Sequence, residues 1–317
     1  MDFLIEKKND GMTVLDFLRR DVGISAAMLR HLKFIPDGIT VGGSHVTVRH
    51  ILRAGEILSI KSEDSEPSEH IIPSNIDLGI AYEDSDLVVP DKPPYMPTHP
   101  SHGHFDDTVA NALCHRYRGE DTPFVFRAVN RLDRNTSGLV IIARNRMAAS
   151  KLTASMKRGE IKKSYIAVLS RALPYTGDEQ VIDTFMKRTD ASIIVRRVCE
   201  ADEGGDRAVT RYRVLYSNAS HSVVSATPVT GRTHQLRVHF AHIGAPIVGD
   251  DMYGEASDHI GRHALHAAHL SFPHPSKNET VALTSPLPKD MQELLSELFC
   301  DEEINEISAR IEGDSDR

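Results

Sequence analysis

One short stretch of this sequence concentrates residues that could carry out chemistry. Residues 130–139 read Asn-Arg-Leu-Asp-Arg-Asn-Thr-Ser-Gly-Leu, so Asp133 lies between Arg131 and Arg134. Flanking guanidinium groups stabilise an ionised carboxylate, which can then act as a nucleophile or a base. Both arginines also suit stacking on bases or two-point contacts with phosphates. For a lone Arg-Leu-Asp, an aspartate that only forms a structural ion pair would be the better interpretation. The ten-residue stretch is a far more specific sign of a functional carboxylate.

The residues after Asp133 predict how this stretch is positioned. Thr136 and Ser137 can hydrogen-bond back to the loop and hold the carboxylate, while Gly138 permits a tight entry into a strand. The apolar run over residues 138–143 predicts that strand. The candidate carboxylate is therefore expected on a loop directly before a buried strand.

The rest of the chain alternates short helical and strand-like segments without an internal repeat. Helices are predicted over 108–117, 145–156 and 233–240, and strands over 87–89, 138–143, 165–169, 207–216, 221–228 and 264–272. This mixed order predicts an α+β fold with a largely antiparallel sheet flanked by helices.

The length of 317 residues favours two domains. Residues 62–75 are polar, acidic and twice interrupted by proline, which is typical of a linker. This acidic linker separates a small unit, residues 1–61, from a larger domain, residues 76–300. The acidic tail, residues 301–317, is expected to be loosely ordered.

The composition excludes several classes of protein. Apolar residues make up 40% of the chain and charged residues 26%, as in ordinary globular proteins. Nothing approaches the apolar run of about 18 residues that a membrane span requires, and the N-terminus lacks the pattern of a signal peptide. The cysteines are three and scattered, which favours a reducing cytoplasm over a disulfide framework. We therefore expect a cytoplasmic protein without membrane contacts.

The charge distribution points to a polyanionic partner although the net charge is −8. Residues 62–69 carry −4 and residues 301–317 carry −5. Residues 126–163, in contrast, hold ten lysines and arginines against two acidic residues, a net charge of +8. Such a local excess displaces counterions from nucleic-acid phosphates. The alternative is a solvated face of charged helices.

The stretch around Asp133 closely resembles the RluA-type pseudouridine synthases of bacteria, and the resemblance runs over nearly the whole chain after the linker. In that family the aspartate of the Arg-Leu-Asp string is catalytic, which implies this role for Asp133. Residues 230–239, Thr-Gly-Arg-Thr-His-Gln-Leu-Arg-Val-His, match a second motif. In the family, the arginine of the Gln-Leu-Arg string in this motif pairs with the catalytic aspartate, which implies that role for Arg237. Arg232 is expected to bind phosphate or a loop.

Two further segments match in the family's order. Residues 162–168, Lys-Lys-Ser-Tyr-Ile-Ala-Val, place the active-site tyrosine at Tyr165, which would otherwise be read as a core aromatic. Residues 91–100 resemble a Lys-Pro…His-Pro segment and make Lys92 a candidate RNA contact. Two residues depart from the pattern, since Tyr95 replaces a glycine and Asn130 replaces a histidine.

The first unit resembles the alpha-L RNA-binding domain over about residues 11–61. Two predicted helices and three short strands carry the match, although Gly42-Gly43 stands where the family has an asparagine before the turn glycine. The resemblance implies that basic residues on the helices face a phosphate backbone: Arg19, Arg20, Arg30 and Lys33. A helical cap with ordinary surface charges is the alternative.

Together these resemblances imply an enzyme that flips a uridine out of RNA and isomerises it to pseudouridine, without a cofactor or a metal. Large-subunit ribosomal RNA is the expected substrate, transfer RNA the alternative, and a monomer the expected state. One rival is a metal-dependent hydrolase, raised by 17 histidines, but the His-Glu-x-x-His motif is absent. The other is a non-catalytic RNA-binding protein, which the presence of Asp133, Tyr165 and Arg237 disfavours.

Overall fold

The computed structural model describes residues 1–61, 68, 71–120 and 123–315. The N-terminal unit contains β1 (Asp2–Leu4), α1 (Val14–Asp16), α2 (Ala26–Phe34), β2 (Ile39–Val41), β3 (Ser44–His45) and β4 (Ile57–Ile60). Its strands form an antiparallel sheet in the order β1-β4-β2-β3. Short helical turns at Lys7–Asn9 and Phe17–Asp21 complete the unit.

Local sequence explains the N-terminal elements. Ser25 caps α2 as expected, because its Oγ accepts the backbone N–H of Met28 at 3.1 Å. Gly42 and Gly43, with φ of 56° and 84°, form the two-residue turn between β2 and β3. The second of the three strands predicted in this unit, at 46–48, is found instead at Ser44–His45, directly after this turn.

The larger unit contains twelve strands and five helices among the residues described. The strands are β5 (Gly79–Glu83), β6 (Leu87–Lys92), β7 (Arg127–Ala128), β8 (Ser137–Leu139), β9 (Ile142–Ala143), β10 (Lys162–Leu169), β11 (Gln180–Thr189), β12 (Ser192–Cys199), β13 (Asp206–Ser217), β14 (Ser222–Pro228), β15 (Leu265–Pro273) and β16 (Thr280–Thr284). The helices are α3 (Val109–Arg116), α4 (Arg146–Arg158), α5 (Gln235–His242), α6 (Lys289–Leu298) and α7 (Asp301–Ser315). A single 3-10 turn lies at Ala201–Glu203.

These twelve strands form one sheet in the order β12-β11-β13-β14-β10-β15-β8-β6-β9-β7, with β16 beside β15 and β5 beside β6. Within the described chain, β8 and β15 are the only parallel neighbours. The predicted α+β fold with a largely antiparallel sheet is therefore confirmed. None of the helices in the described part of the chain has the length and apolarity needed to cross a bilayer.

Gly138 allows the one parallel pairing. It faces Ala267 of β15 and has a φ of 111°, a conformation that favours glycine. A Cβ atom at this position would lie 2.3 Å from the Ala267 carbonyl oxygen. The strand that follows Asp133, β8, can therefore pair with β15 only because residue 138 has no side chain.

Helix α4 joins the two units. It begins after Asn145, whose Oδ1 accepts the Ala148 N–H at 2.8 Å, and ends at Gly159, with a φ of 71°, as predicted. Met147 on α4 packs into the core of the N-terminal unit. The Ser25 backbone N–H also donates to Ser150 Oγ on the same helix.

The two ends of the larger unit correct the predicted boundaries. The expected loosely ordered tail is wrong, because residues 301–315 form α7, whose Ile307 is fully buried in the main core. Most of the predicted linker, residues 62–67 and 69–70, lies outside the described residues. Within the described part of the linker, the Ile72 carbonyl accepts a hydrogen bond from Asn111 at 2.7 Å, so the chain is already packed on the larger unit before residue 76.

Candidate active site

A cavity of about 240 Å³ opens beside Asp133. It is bounded by the aspartate loop (residues 129–136), by β10 and by the segment that leads into α5. Its lining residues include Arg131, Asp133, Tyr165, Arg232, His234 and Arg237. The Asp133 side chain is 26% exposed, so a ligand in the cavity can reach it. The structure thus brings together all three predicted catalytic residues.

Lys92 supports the aspartate loop from beneath instead of contacting RNA. It is completely buried, and its Nζ donates to the carbonyl oxygens of Pro93, Met96 and Arg134 at 2.8–3.0 Å. Burial, aided by the charge of Arg262, lowers the pKa of the Lys92 ammonium to about 7. The predicted RNA contact of Lys92 is wrong, because its ammonium is enclosed by backbone carbonyls.

Arg262 is a second buried cation under the aspartate loop, and no motif or spacing in the sequence predicted it. Its side chain pairs with Asp290 at 2.7 and 2.9 Å. Its Nη1 donates to the Asn135 carbonyl at 3.0 Å, and its Nη2 donates to Ser137 Oγ at 3.3 Å. One guanidinium therefore connects α6 to the loop and to the start of β8.

Two hydroxyls fasten the aspartate loop to the neighbourhood of β15. Thr136 Oγ1 lies 2.8 Å from His263 Nε2, and Ser137 Oγ lies 2.9 Å from His266 Nδ1. Burial lowers the pKa of His263 to about 3 and that of His266 to about 4, so both rings are neutral near pH 7. The expectation that these hydroxyls bond back to the loop is wrong.

The two departures from the family pattern, Asn130 and Tyr95, both lie in the loops around Asp133. Asn130 Oδ1 accepts the Ile141 N–H at 2.7 Å, so the amide still ties the aspartate loop to the sheet, as expected for an amide. Tyr95 has a φ of 66°, the left-handed conformation that glycine would adopt freely. A left-handed non-glycine residue costs about 1–2 kcal/mol, and Tyr95 bears this strain in the turn held by Lys92.

Arg237 and Asp250 form a buried ion pair at the floor of the cavity. Nε and Nη2 of Arg237 donate to the two Asp250 carboxylate oxygens at 2.8 and 2.7 Å. Burial raises the pKa of Asp250, but the hydrogen bonds and the positive charge of Arg237, helped by His263 and the Tyr253 backbone N–H, together outweigh burial and lower that pKa. The third nitrogen, Nη1, lies 3.8 Å from Asp133 Oδ2. Arg237 thus faces Asp133 as predicted, while Asp250 fixes its orientation.

Tyr165 lies on β10 and lines the cavity with its side chain almost fully buried. Burial, aided by the charge of Asp133, raises the pKa of the Tyr165 hydroxyl above its ordinary value. The phenol therefore stays protonated near neutral pH. A neutral aromatic ring beside a carboxylate is suited to stack on a planar base.

The other predicted RNA contacts are at the surface. Arg131 and Arg232 are exposed at the rim of the cavity, and Arg134 is exposed on the same loop. Arg232 pairs with Asp206 at 3.5 Å and not with Asp133, in agreement with the preference for Arg237. The basic residues of the N-terminal unit are also exposed: Arg19, Arg20, Arg30 and Lys33.

One group of residues in the described chain has the spacing of metal ligands, but it lies outside the cavity. It consists of Asp84, Asp86 and His274. Asp84 already accepts hydrogen bonds from Lys277 at 3.0 Å and from backbone N–H groups. These contacts satisfy the carboxylate with protein donors, so the group does not fit a metal centre.

Comparison with known sequences assigns the surroundings of the cavity to one family. A family described as RNA pseudouridylate synthase matches residues 86–242, a span that includes Asp133, Tyr165 and Arg237. The uncharacterised RNA pseudouridine synthase YjbO of Bacillus subtilis is 36% identical, over 90% of this chain and 98% of the relative. Ribosomal large subunit pseudouridine synthase D of Pseudomonas aeruginosa is 35% identical, over 85% of this chain and 87% of the relative.

Two solved structures share the fold. Human RNA pseudouridylate synthase domain containing 1 is 28% identical, with a TM-score of 0.54 over 74% of this chain and 97% of that chain. Human RNA pseudouridylate synthase domain containing 4 has a TM-score of 0.55 over 69% of this chain, and at 24% identity it speaks for the fold alone.

Proposed function

The chain belongs to the RluA-type RNA pseudouridine synthases, a family of RNA isomerases, and we propose that it converts uridines of large-subunit ribosomal RNA to pseudouridine with Asp133 as the catalytic residue. The observation that carries this proposal is the meeting of Asp133, Tyr165 and Arg237 around one cavity. They come from three separate parts of the sequence, so the arrangement exists only in the fold.

The cavity suits a nucleotide that has left the helical stack. Unstacking a base costs a few kcal/mol, and the exposed guanidinium of Arg131 is placed to hold the flipped nucleotide or fill the vacated space. Asp133 then promotes cleavage of the bond between N1 of uracil and C1′ of the ribose. The freed base rotates and its C5 is joined to C1′. The proton on C5 is then removed and N1, released from the ribose, takes up a proton, so the product is an isomer of uridine. The atoms of the uridine are conserved, so no redox partner or group donor is required.

The surrounding residues divide the remaining tasks. Arg237 faces Asp133 with a fixed charge and limits its motion, because Asp250 holds the guanidinium at two points. Tyr165 stacks on the base, a role that fits its protonated phenol better than proton removal by a phenolate. Arg131, Arg134 and Arg232 provide phosphate contacts around the opening.

The choice of RNA rests on two supports. The relatives from Pseudomonas aeruginosa and Xanthomonas campestris that are named large-subunit enzymes are each 35% identical to this chain. In addition, the exposed basic residues of α2, Arg30 and Lys33, fit an alpha-L domain that binds structured RNA. Transfer RNA is the alternative substrate. The cytoplasmic location and the monomeric state remain predictions.

The test is pseudouridine mapping of total RNA from cells with and without the gene. We expect sites in large-subunit ribosomal RNA to disappear and to return with the wild-type gene but not with Asp133→Asn. The control Asp251→Asn changes an exposed acid outside the cavity and should restore the sites. Loss of transfer RNA sites instead would reassign the substrate. If no site changes in the cells and the purified protein modifies neither RNA in vitro, the proposed activity is wrong.

A further inference from the structure

His234 holds a strained position at the edge of the cavity. It directly precedes α5 with a φ of 58°, and only two other non-glycine residues of the described chain, Asp37 and Tyr95, have positive φ. Its side chain is 11% exposed. A left-handed backbone at such a residue persists only where its surroundings hold it, and such strain clusters at functional sites.

The Tyr253 hydroxyl lies on one side of the ring. It is 2.8 Å from His234 Nδ1, and the two rings meet edge to face with centroids 5.7 Å apart. The same oxygen accepts the Arg196 backbone N–H at 3.0 Å. A phenol has one proton to donate. The Arg196 N–H takes up one acceptor position of the oxygen, and the phenol proton is available for donation to Nδ1 of His234.

Asp133 lies on the other side of the ring. His234 Nε2 is 3.9 Å from Asp133 Oδ2. Burial lowers the pKa of His234, and Arg237 acts in the same direction against the opposing charges of Asp133 and Asp250, so the neutral ring is favoured. A neutral imidazole that accepts at Nδ1 carries its proton on Nε2. With its proton on Nδ1, His234 would turn the lone pair of Nε2 toward the Asp133 carboxylate. Tyr253 and Asp133 therefore both favour the tautomer with the proton on Nε2.

We propose that His234 is a positioning residue for Asp133, with its tautomer fixed by Tyr253. This inference rests on the proposed function. Arg237 Nη1 and His234 Nε2 both face Oδ2 of Asp133, at 3.8 and 3.9 Å. Within the described chain Oδ1 has no hydrogen-bond partner and is left for the reacting nucleotide. A movement of Asp133 by about 1 Å when RNA enters would bring Oδ2 into hydrogen-bond distance of both donors.

The first test measures the tautomer directly in the protein without RNA. In protein labelled with ¹⁵N-histidine, long-range ¹H–¹⁵N correlation spectra distinguish a protonated Nε2 from a protonated Nδ1. The His234 signals are identified by their absence from His234→Asn, in which asparagine tolerates the left-handed backbone. We expect the Nε2–H tautomer in the wild type and a mixture in Tyr253→Phe. A dominant Nδ1–H tautomer or a charged ring in the wild type would overturn the proposal.

The second test separates positioning from folding and from RNA binding. Tyr253→Phe keeps the ring that packs against Arg237 and His234 but removes the hydroxyl. We expect its single-turnover rate constant to fall by about 10-fold, within the roughly 100-fold that small misplacements of reacting groups can cost. Its Kd for RNA and its melting temperature should change little.

Two variants of His234 complete the comparison. Glutamine can present an N–H near the place of Nε2, whereas the shorter asparagine cannot, so His234→Gln should keep more of the single-turnover rate than His234→Asn. Equal rates for the two, or unchanged rates in Tyr253→Phe, would refute the positioning role. If the wild type itself shows no turnover, the proposed function fails instead, so the two failures are distinguishable.

Discussion

Arg237 makes both of its short ion-pair hydrogen bonds to Asp250, at 2.7 and 2.8 Å, and reaches Asp133 only at 3.8 Å. Asp250 is fully buried, and Arg237 is 5% exposed. The positive charge of Arg237, which faces the proposed catalytic carboxylate of Asp133, is therefore paired mainly with the carboxylate of Asp250. Asp133 keeps a weaker ion pair, which leaves it free to approach a substrate.

Removal of Asp250 should unfold the site as well as inactivate it. Asp250→Ala leaves the Arg237 charge buried without its partner, which costs about 3–5 kcal/mol. Urea denaturation of the purified variant measures this loss. The control Asp206→Ala removes the exposed partner of Arg232 and should cost less than about 1 kcal/mol. Equal losses in the two variants would contradict a structural role for the buried pair.

A side chain at position 138 should be poorly tolerated. In Gly138→Ala the new Cβ would lie 2.3 Å from the Ala267 carbonyl oxygen, on a backbone with a φ of 111°. We expect a loss of stability of about 2 kcal/mol or more from overpacking and strain, together with loss of activity as the aspartate loop shifts. Gly313→Ala is the control, since nothing lies within 4 Å of its Cβ in α7 and alanine favours a helix. Thermal melting that ranks the two variants the other way would exclude this steric account.

The energetic cost of the left-handed backbone at Tyr95 can be measured by comparing two substitutions that both remove the ring. Tyr95→Ala and Tyr95→Gly both remove the ring, but only glycine relieves the left-handed conformation, so Tyr95→Gly should be more stable by about 1 kcal/mol. At an ordinary position the order is reversed, because glycine loses more conformational freedom on folding. Denaturation midpoints of the two variants give the sign. Greater stability of the alanine variant would show that the turn relaxes around residue 95.

Lowering the pH should destabilise the protein at pH values well above those at which its carboxylates titrate. Burial lowers the pKa of His239 and His266 to about 4 and that of His263 to about 3, whereas an unfolded chain has histidine pKa values of about 6.5. The unfolded state thus binds more protons in this window. The stability is complete above about pH 6.5 and is lost as the pH falls toward 4, by roughly 1 kcal/mol per pH unit for each histidine.

Urea denaturation at about pH 7, 6 and 5 measures this slope. His239→Gln keeps a polar partner for Thr184 and Thr210 but removes one titrating ring, so its slope should be shallower than that of the wild type. An unchanged slope would show that His239 does not contribute to the acid sensitivity.

Local patterns in the sequence predicted the helix caps and the strands, whereas residues that meet across the fold were predicted only where the family resemblance named them, as for Tyr165 and Arg237. The caps of α4 and the strand after Asp133 were predicted correctly, because capping and apolar runs involve near neighbours. Arg262 contacts the Asn135 carbonyl across 127 residues, and no spacing in the sequence brings the two together.

Two errors have identifiable physical causes. Lys92 was expected to contact RNA because residues 91–100 resemble the Lys-Pro…His-Pro segment of the family, but three carbonyl oxygens bind its buried ammonium. The tail was expected to be loosely ordered because it is acidic. Its Ile304, Ile307 and Ile311 recur at helical spacing and pack against the main core. This apolar spacing indicates a packed helix, but the prediction relied on the acidic charge alone.

The parallel pairing of β8 with β15 also sets the order in which the enzyme can assemble. Ser137 meets His266 across 129 residues, and Arg262 reaches on to Asp290 in α6. During synthesis the chain emerges from its N-terminus, so the contacts of the aspartate loop with His263, His266 and Arg262 cannot form until almost the entire polypeptide has left the ribosome. The N-terminal unit, residues 1–61, leaves the ribosome long before that moment. Catalytic competence is therefore the last property that a newly made molecule acquires.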